Sequence, residues 1–217
     1  NKIITQNGIL GTDIKNFYKS YFKYKKNILP FVTAKMAISK DYYTNCKKKK
    51  WITNKFSRGR VHLMRSNNDC IITSVNTIII DNPILTCRIN GLEDRSPTRI
   101  ILDKKLKIPF ASNIVRSAIK YRTIVFFNKP QLKKIKTLEK LKIKLIKAPL
   151  SDDGNFDLEN ILIKIKLLGF SRIFLESGLN LTTSFLDKDL VDVFYLFTSN
   201  KNLGKNGNNS FKKNMKL

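Results

Sequence analysis

Short apolar runs and amphipathic stretches alternate along most of the chain. Several runs have the length and composition of strands: "FVTAKMAIS", "DCIITS", "RIILD", "TIVFF", "KLIKAP", "RIFLE" and "VDVFYLF". Three intervening stretches have the apolar spacing of helices: "WITNKFSRGRVHLMRS", "FDLENILIKIKLLG" and "GLNLTTSFL". Because strands and helices alternate, the pattern predicts an α/β fold with a largely parallel central sheet.

Residues that favour helix ends support two of these helices. Thr53 or Asn54 is expected to cap the first, and Gly169 stands where the second should end. Ahead of the first predicted strand, "TDIKNFYKSYFKY" predicts a further short helix with Ile14, Phe17 and Tyr21 on one face.

The stretch "TSVNTIIIDNPILTCR" (residues 73–88) admits two interpretations. Its three isoleucines could belong to a buried strand that ends in a turn at Asp81-Asn82-Pro83. The alternative is that the chain places an acid and a base there for a chemical purpose. The residues of this stretch alone leave both interpretations open.

Three acidic residues stand where an α/β sheet would bind ligands, beyond the carboxyl ends of strands: Asp81, Asp103 and Glu176. Glu176 is the most interesting, because Ser177-Gly178 follows it at the start of a predicted helix. Glycine there lets the backbone approach a ligand, and helix-terminal amides suit a phosphate. The competing interpretation is that Glu176 only caps that helix.

Arginines supply candidate anion-binding groups. Arg65 and Arg88 could hold a phosphate, since a guanidinium group binds it in a fixed fork. Arg58, His62 and Arg65 are spaced to share one helix face. His62 could also be an acid–base group. For the arginines the alternative is a solvated surface, and for His62 a structural role. Trp51 either packs in the core or lies against a flat ring.

The charge of the chain is extreme. Lys and Arg number 42 against 16 Asp and Glu, which gives a net charge of +26 over 217 residues. Such a charge attracts polyanions, but the lysines are scattered, with one dense block at residues 47–50. An anionic small molecule is therefore favoured over a nucleic acid.

No apolar run in the sequence has the length of a membrane span. The three cysteines form no close pair, which argues against a disulfide framework and a zinc site and favours reduced thiols. We therefore expect a cytoplasmic protein without a metal or a membrane partner.

The order of several motifs carries a resemblance to a known family. "FVTAKMAISKD", "KWIT", "VHLMRS", "DCIITSVNTIIIDNPILTCR", "SPTRIILDKKLKIP", "IFLESGLNLTTSFL" and "LVDVFYLF" occur in this order. Over residues 30–204 the chain resembles the reductase domain of riboflavin biosynthesis, the reductase half of the bifunctional pyrimidine deaminase/reductase. The ordered set is far more specific than any one motif.

The resemblance implies a three-layer α/β/α fold like that of dihydrofolate reductase, with a mostly parallel sheet. It also implies an NADPH-dependent reductase that acts on 5-amino-6-(5-phosphoribosylamino)uracil. The reaction would deliver hydride to C1′ of the opened ribose and give the ribitylamino product.

The resemblance further assigns roles to residues. Lys50 and Glu176 would face the ribose as the catalytic pair. Substrate contacts would come from Glu176 together with Lys49, Arg65, Leu85 and Arg88. The NADPH site would be lined by Ala37, Trp51, Thr77, Asp81, Gly178, Leu179, Asn180, Leu181, Thr182 and Thr183. Much of the stretch from Thr73 to Arg88 is therefore expected to be functional.

Two domains are expected along the chain. Residues 1–29 resemble the tail that links a preceding deaminase domain, and residues 30–217 form the reductase domain. The zinc signature of a deaminase is absent from the sequence, so deamination is not expected of this chain. We expect the chain to be a fragment, the parent protein to carry a zinc deaminase domain upstream, and the protein to form a homodimer.

Two departures from the family pattern bear on the site. Tyr42 stands where the family has a glycine, and the family's last strands, which should follow Gly204, are not recognisable. The reductase domain is therefore expected to be truncated at its carboxyl end. Besides an active reductase, two alternatives remain: a basic nucleic-acid-binding protein, and a truncated homologue without activity.

Overall fold

A seven-stranded parallel sheet forms the centre of the molecule. The structure, a computed structural model, describes residues 3–48, 51–129 and 132–211. The strands of this sheet are β1 (Phe31–Ile38), β3 (Cys70–Ser74), β4 (Thr98–Leu102), β5 (Thr123–Phe127), β6 (Ile143–Lys147), β7 (Arg172–Leu175) and β8 (Val193–Thr198). Their order in the sheet is β6-β5-β4-β3-β7-β1-β8, and every pairing is parallel. The predicted α/β fold with a mostly parallel sheet is confirmed.

Helices cover both faces of this sheet and complete three layers. The helices are α1 (Gly11–Phe17), α2 (Lys19–Lys26), α3 (Lys55–Ser66), α4 (Val75–Asp81), α5 (Asn113–Arg116), α6 (Leu132–Lys140), α7 (Leu158–Leu167) and α8 (Leu179–Asp187). One apolar core contains residues of α7 and α8, and a second contains residues of α3, α4, α5 and α6. A third, smaller cluster consists of Met36, Ile38, Leu179 and Phe211. No helix in the described ranges combines the length and the apolar composition needed to cross a membrane.

Local sequence explains why several of these elements form where they do. Strand β1 alternates buried and half-buried positions, as a strand in contact with different surroundings on its two faces should. Asn54 caps α3 by accepting a hydrogen bond from the Ser57 amide, and Asp157 caps α7 in the same way through Asn160. Gly169 adopts a positive φ of 91° directly after Leu168, the C-cap of α7. The strands and these helices agree with their prediction.

The isoleucine run after β3 is helical, so the interpretation of this run as a buried strand is wrong. Ser74 accepts a hydrogen bond from the Thr77 amide at the start of α4, and Asn82 ends the helix in the left-handed region. Only Ile78 of the run is buried, while Ile80 is largely exposed. Capping and the burial of one side chain therefore outweigh the strand preference of β-branched residues.

A second, two-stranded sheet lies beside the carboxyl end of β1. Strands β2 (Tyr43–Cys46) and β9 (Gly207–Ser210) pair antiparallel, so a short strand does follow Gly204. The seven-stranded sheet itself gains no strand after β8 within the described residues. At Gly207 a side chain would collide with the ring of Tyr43, which explains the glycine.

The loop between β1 and β2 is held by Asp41. Its carboxylate accepts hydrogen bonds from the Ser39 hydroxyl and from the amides of Leu203 and Gly204. These contacts, the Ser39 hydroxyl first, lower the pKa of Asp41 to about 2. Tyr42 beside it has a φ of 66°, in the region that favours glycine. The loop therefore keeps the glycine-like backbone although the residue is tyrosine.

Arg99 on β4 ties the loop that follows α4 to the core. Its side chain is fully buried, and its guanidinium group donates to the carbonyl oxygens of Ile84, Ile114 and Tyr121 and to the Thr123 hydroxyl. Burial lowers the pKa of Arg99 to about 10, so the group stays charged at neutral pH. The buried Arg99 guanidinium therefore fixes the backbone at Ile84, the residue before Leu85.

Candidate active site

The main cleft lies at the carboxyl ends of β1, β3 and β7, where parallel sheets bind ligands. Its volume is about 820 Å³, large enough for a sizeable ligand. Residues of α3, α4 and α8 form its walls, and Thr44 and Asn209 bring the two-stranded sheet to its rim. The cleft therefore gathers side chains from segments that are far apart in the sequence.

Glu176 and Arg65 form a two-point ion pair inside this cleft. Nε of Arg65 lies 2.9 Å from one carboxylate oxygen, and Nη2 lies 3.0 Å from the other. The third nitrogen of Arg65 donates to the carbonyl oxygen of Thr86 at 2.9 Å. Glu176 therefore does not cap α8, which has no side-chain cap, and the capping interpretation is wrong.

The charges around Glu176 keep it ionised. Burial by itself would raise the pKa of this carboxyl group, but Arg65 and Lys35 outweigh that effect and leave the pKa below its usual value. Glu176 is thus a carboxylate at neutral pH, with its side chain 20% exposed to the cleft.

Lys35 is the ammonium group beside this carboxylate. In the pairing of β1 with β7, Ala34 stands opposite Leu175, so the next residues along the two strands are Lys35 and Glu176. Burial lowers the pKa of Lys35, Glu176 partly offsets this, and Arg65 lowers it further. Lys35 is therefore a stronger acid than an ordinary lysine, and its ammonium group interacts electrostatically with the Glu176 carboxylate.

Helix α3 contributes one polar face to the cleft. Arg58, His62 and Arg65 all line it, so their predicted common face is confirmed. The Arg58 guanidinium lies 5.2 Å from the ring centre of Trp51 and donates to the carbonyl oxygen of Thr53. This cation–π contact holds the half-exposed indole at the cleft edge.

The amino end of α8 forms the part of the cleft best suited to a phosphate. Gly178, Leu179, Asn180 and Leu181 line the cleft there. The first amides of a helix lack partners within the helix, and α8 has no side-chain cap to satisfy them. Apart from the glycine itself and its two neighbours in the chain, no heavy atom lies within 4 Å of where a Cβ of Gly178 would stand, so a ligand can approach the backbone. The residues present therefore fit a diphosphate-containing cofactor.

Most of the residues assigned from the sequence meet in this cleft. Those that line it are Ala37, Trp51, Arg65, Thr77, Asp81, Arg88, Glu176, Gly178, Leu179, Asn180 and Leu181. Within the described part of the chain, Leu85, Thr182 and Thr183 are not among its lining residues. Leu85 and Thr182 are instead buried, although Leu85 has a positive φ of 60° directly before Thr86. Lys49 and Lys50 lie outside the described residues.

Sequence reasoning missed Lys35, and one signal could have found it. Lys35 and Ala37 are two residues apart on a strand, so their side chains point to the same face. Ala37 was expected at the cofactor site, and Lys35 is the one charged residue within β1. Asp103, a candidate acid, is buried and does not line the cleft, and its carboxylate accepts a hydrogen bond from the Ile108 amide.

Comparison with known proteins gives a consistent family. Residues 30–216 match the family model of the RibD C-terminal domain. The chain is 31% identical over 201 residues to the riboflavin biosynthesis protein RibD of Aquifex aeolicus, covering 91% of the chain and 54% of that protein. It is 28% identical over 169 residues to the 5-amino-6-(5-phosphoribosylamino)uracil reductase of Buchnera aphidicola, covering 71% of the chain and 77% of that protein.

A solved structure from Thermotoga maritima is also similar. It is described as a diaminohydroxyphosphoribosylaminopyrimidine deaminase/5-amino-6-(5-phosphoribosylamino)uracil reductase and superposes with a TM-score of 0.75 at 28% identity. The match covers 95% of this chain and 54% of that one, so the chain spans about half the length of such relatives. The chain belongs to the RibD C-terminal domain family.

Proposed function

We propose that this chain reduces 5-amino-6-(5-phosphoribosylamino)uracil to its ribitylamino product with NADPH. The observation that carries the proposal is the grouping of Lys35, Glu176 and Arg65 in a cleft that also receives the amino end of α8. The Buchnera relative bears the name of this reductase, which supports the same substrate. The reaction needs one hydride and one proton, and different parts of the cleft are proposed to supply them.

The cofactor would be held by the wall of the cleft made from β1, α4 and α8. Ala37, Thr77, Asp81 and the amides of residues 178–181 are the groups available to it. When bound, NADPH supplies the hydride that adds to C1′ of the opened sugar. The proposed preference for NADPH over NADH is tested by comparing kcat/KM for the two cofactors.

Lys35 is the proposed proton donor. In the opened substrate C1′ is doubly bonded to the amino nitrogen, and reduction places hydrogen on C1′ and a proton on that nitrogen. The ammonium group of Lys35 can give this proton, because burial lowers its pKa toward the working range of a general acid. Lys35 then regains a proton from water before the next turnover.

Glu176 is proposed to orient both Lys35 and the sugar. As a carboxylate it attracts the ammonium group and can accept hydrogen bonds from sugar hydroxyls. Arg65 fixes the carboxylate by its two-point contact, so the carboxylate is already oriented before substrate arrives. Arg65 is therefore assigned mainly to Glu176, and Arg88 to the substrate phosphate.

The experiment mixes the purified chain with NADPH and the phosphoribosylaminopyrimidine and follows the loss of reduced-nicotinamide absorbance. The expected result is substrate-dependent oxidation of NADPH with formation of the ribitylamino product. A chain that melts cooperatively and binds NADPH but gives no product would refute the proposal.

The expected upstream zinc deaminase domain and the homodimer stay predictions. Determination of the flanking sequence tests the first, and sedimentation equilibrium of the purified chain tests the second.

A further inference from the structure

His62 lines the cleft and contacts both Thr86 and Arg88, and the proposed chemistry gives His62 itself no role. Its Nδ1 lies 3.1 Å from the carbonyl oxygen of Thr86, and its Nε2 lies 3.2 Å from Nη2 of Arg88. A carbonyl oxygen only accepts hydrogen bonds, so Nδ1 must carry the hydrogen. A guanidinium group only donates, so Nε2 must offer its lone pair. The two contacts together admit one state of the ring, the neutral Nδ1–H tautomer.

The surroundings of His62 favour that neutral state. Burial lowers the pKa of His62, and the positive charges of Arg65 and Arg88 lower it further. The Thr86 carbonyl and Glu176 act in the opposite direction but do not reverse the shift. At neutral pH, His62 can therefore serve as a hydrogen-bond acceptor.

The guanidinium groups of Arg65 and Arg88 differ in how many hydrogen bonds they make within the protein. Arg65 is buried and makes three hydrogen bonds, two to Glu176 and one to Thr86. Arg88 is exposed, and within the described residues its one side-chain hydrogen bond is to His62. A long exposed side chain samples several rotamers unless a contact selects one. His62 supplies that contact on the side of Arg88 that faces α3.

We infer that His62 is a positioning residue that holds the Arg88 guanidinium in the cleft, ready for a phosphate monoester of the substrate. The identity of that substrate rests on the proposed function, but the anion-binding role does not. The Thr86 carbonyl accepts from both His62 and Arg65, so this one backbone group sets the ring relative to the Glu176 ion pair. The backbone before it is anchored by Arg99.

Two substitutions separate the contacts of the ring. In His62→Asn the amide N–H can replace Nδ1 and keep the Thr86 contact, but the acceptor for Arg88 is lost. In His62→Gln the amide oxygen can take the place of Nε2 and keep Arg88. We expect His62→Asn to raise KM for the phosphorylated substrate about 3- to 10-fold, the effect of one such hydrogen bond, with kcat and the KM for NADPH unchanged. His62→Gln should lie close to the unsubstituted protein.

A second background tests that the effect passes through Arg88. In Arg88→Met, the further change His62→Asn should leave KM unaltered, because the guanidinium that it positions is gone. Equal losses in His62→Asn and His62→Gln, or an undiminished effect in the Arg88→Met background, would overturn the inference.

Binding of ribose 5-phosphate, measured by calorimetry, separates this inference from the proposed function. Weaker binding to His62→Asn than to the unsubstituted chain supports the positioning role, even if the chain turns over no substrate. Turnover with unchanged ribose 5-phosphate affinity in His62→Asn would refute the role of His62 while leaving the reductase proposal intact. Absence of any binding to the unsubstituted chain would overturn the inference in either case.

Discussion

Replacing Lys35 with Met removes the proposed proton donor while keeping a side chain of similar length in the cleft. Loss of a positioned general acid costs roughly 10²- to 10⁴-fold in rate, so kcat should fall by that factor. At 1.36 kcal/mol for each factor of ten, the rise in activation free energy is about 3–5 kcal/mol. The KM for NADPH should change little, because Lys35 is assigned to the sugar.

The stability of Lys35→Met distinguishes a chemical effect from a folding defect. The pKa of Lys35 is lowered, which means that the folded protein disfavours the charged form. A neutral methionine should therefore not reduce the free energy of unfolding. The family resemblance assigned Lys50 to the catalytic pair, so Lys50→Met is the rival variant, and Lys40→Met is a control at an exposed position outside the cleft.

The assay is steady-state NADPH oxidation for the three variants, combined with thermal melts. Lys35→Met should lose activity with an unchanged melt, and Lys40→Met should keep activity. In the unsubstituted protein, kcat should fall as pH rises through the lowered pKa of Lys35, below the ordinary value of 10.5. A fully active Lys35→Met together with an inactive Lys50→Met would refute the reasoning.

Three further predictions follow from the contacts around the site. Glu176→Gln leaves Arg65 without its counter-charge, so kcat should fall and the free energy of unfolding should drop by about 1–3 kcal/mol in urea denaturation. The pKa of Glu176 is lower in the folded protein than in the unfolded chain, so ionised Glu176 stabilises the fold at pH values above its unfolded pKa. This stabilisation is lost as the pH falls through the pKa of Glu176 in the folded protein. In Glu176→Gln the free energy of unfolding should therefore decrease less on acidification than in the unsubstituted protein. Arg99→Leu leaves several buried carbonyl oxygens without a hydrogen-bond donor and should lower the free energy of unfolding by about 3–5 kcal/mol in urea denaturation. A decrease of less than about 1 kcal/mol would contradict this account. Tyr42→Gly should have a free energy of unfolding about 1 kcal/mol higher than Tyr42→Ala, because both variants lose the ring and only glycine adopts the positive φ without strain. Equal melting temperatures of the two variants would show that the backbone at residue 42 is not strained.

The fold was largely predictable because strand signals in this chain are strong. Both faces of a parallel sheet are covered, so the strands read as near-continuous apolar runs such as "TIVFF", and all five residues of β5 are buried. The run Ile78–Ile80 was the exception. Its preference for strand was overridden by the Ser74 cap and by the packing of Ile78, a residue of α4, into the core, and the local sequence pattern does not report that packing.

The sequence indicated which residues form much of the site, but not which of these residues pair with one another. The motifs indicated Glu176 and Arg65, and both line the cleft. They did not indicate that the Arg65 guanidinium pairs with the Glu176 carboxylate. The two residues are 111 positions apart in the sequence, and only the order of β3, β7 and β1 in the sheet brings them together. Lys35 was missed for the same reason, since its importance depends on the register of β1 against β7.

The central claim is that this cleft delivers hydride to the C1′ carbon of a phosphoribosylamine while Lys35 protonates the adjacent nitrogen. The most direct test uses NADPH that carries deuterium at both C4 positions of the nicotinamide, followed by mass spectrometry and NMR of the pyrimidine product. The account predicts one deuterium at C1′ of the ribityl chain, and markedly slower formation of that product by Lys35→Met. A product without deuterium at C1′, or no product from a folded chain that binds NADPH, would contradict it.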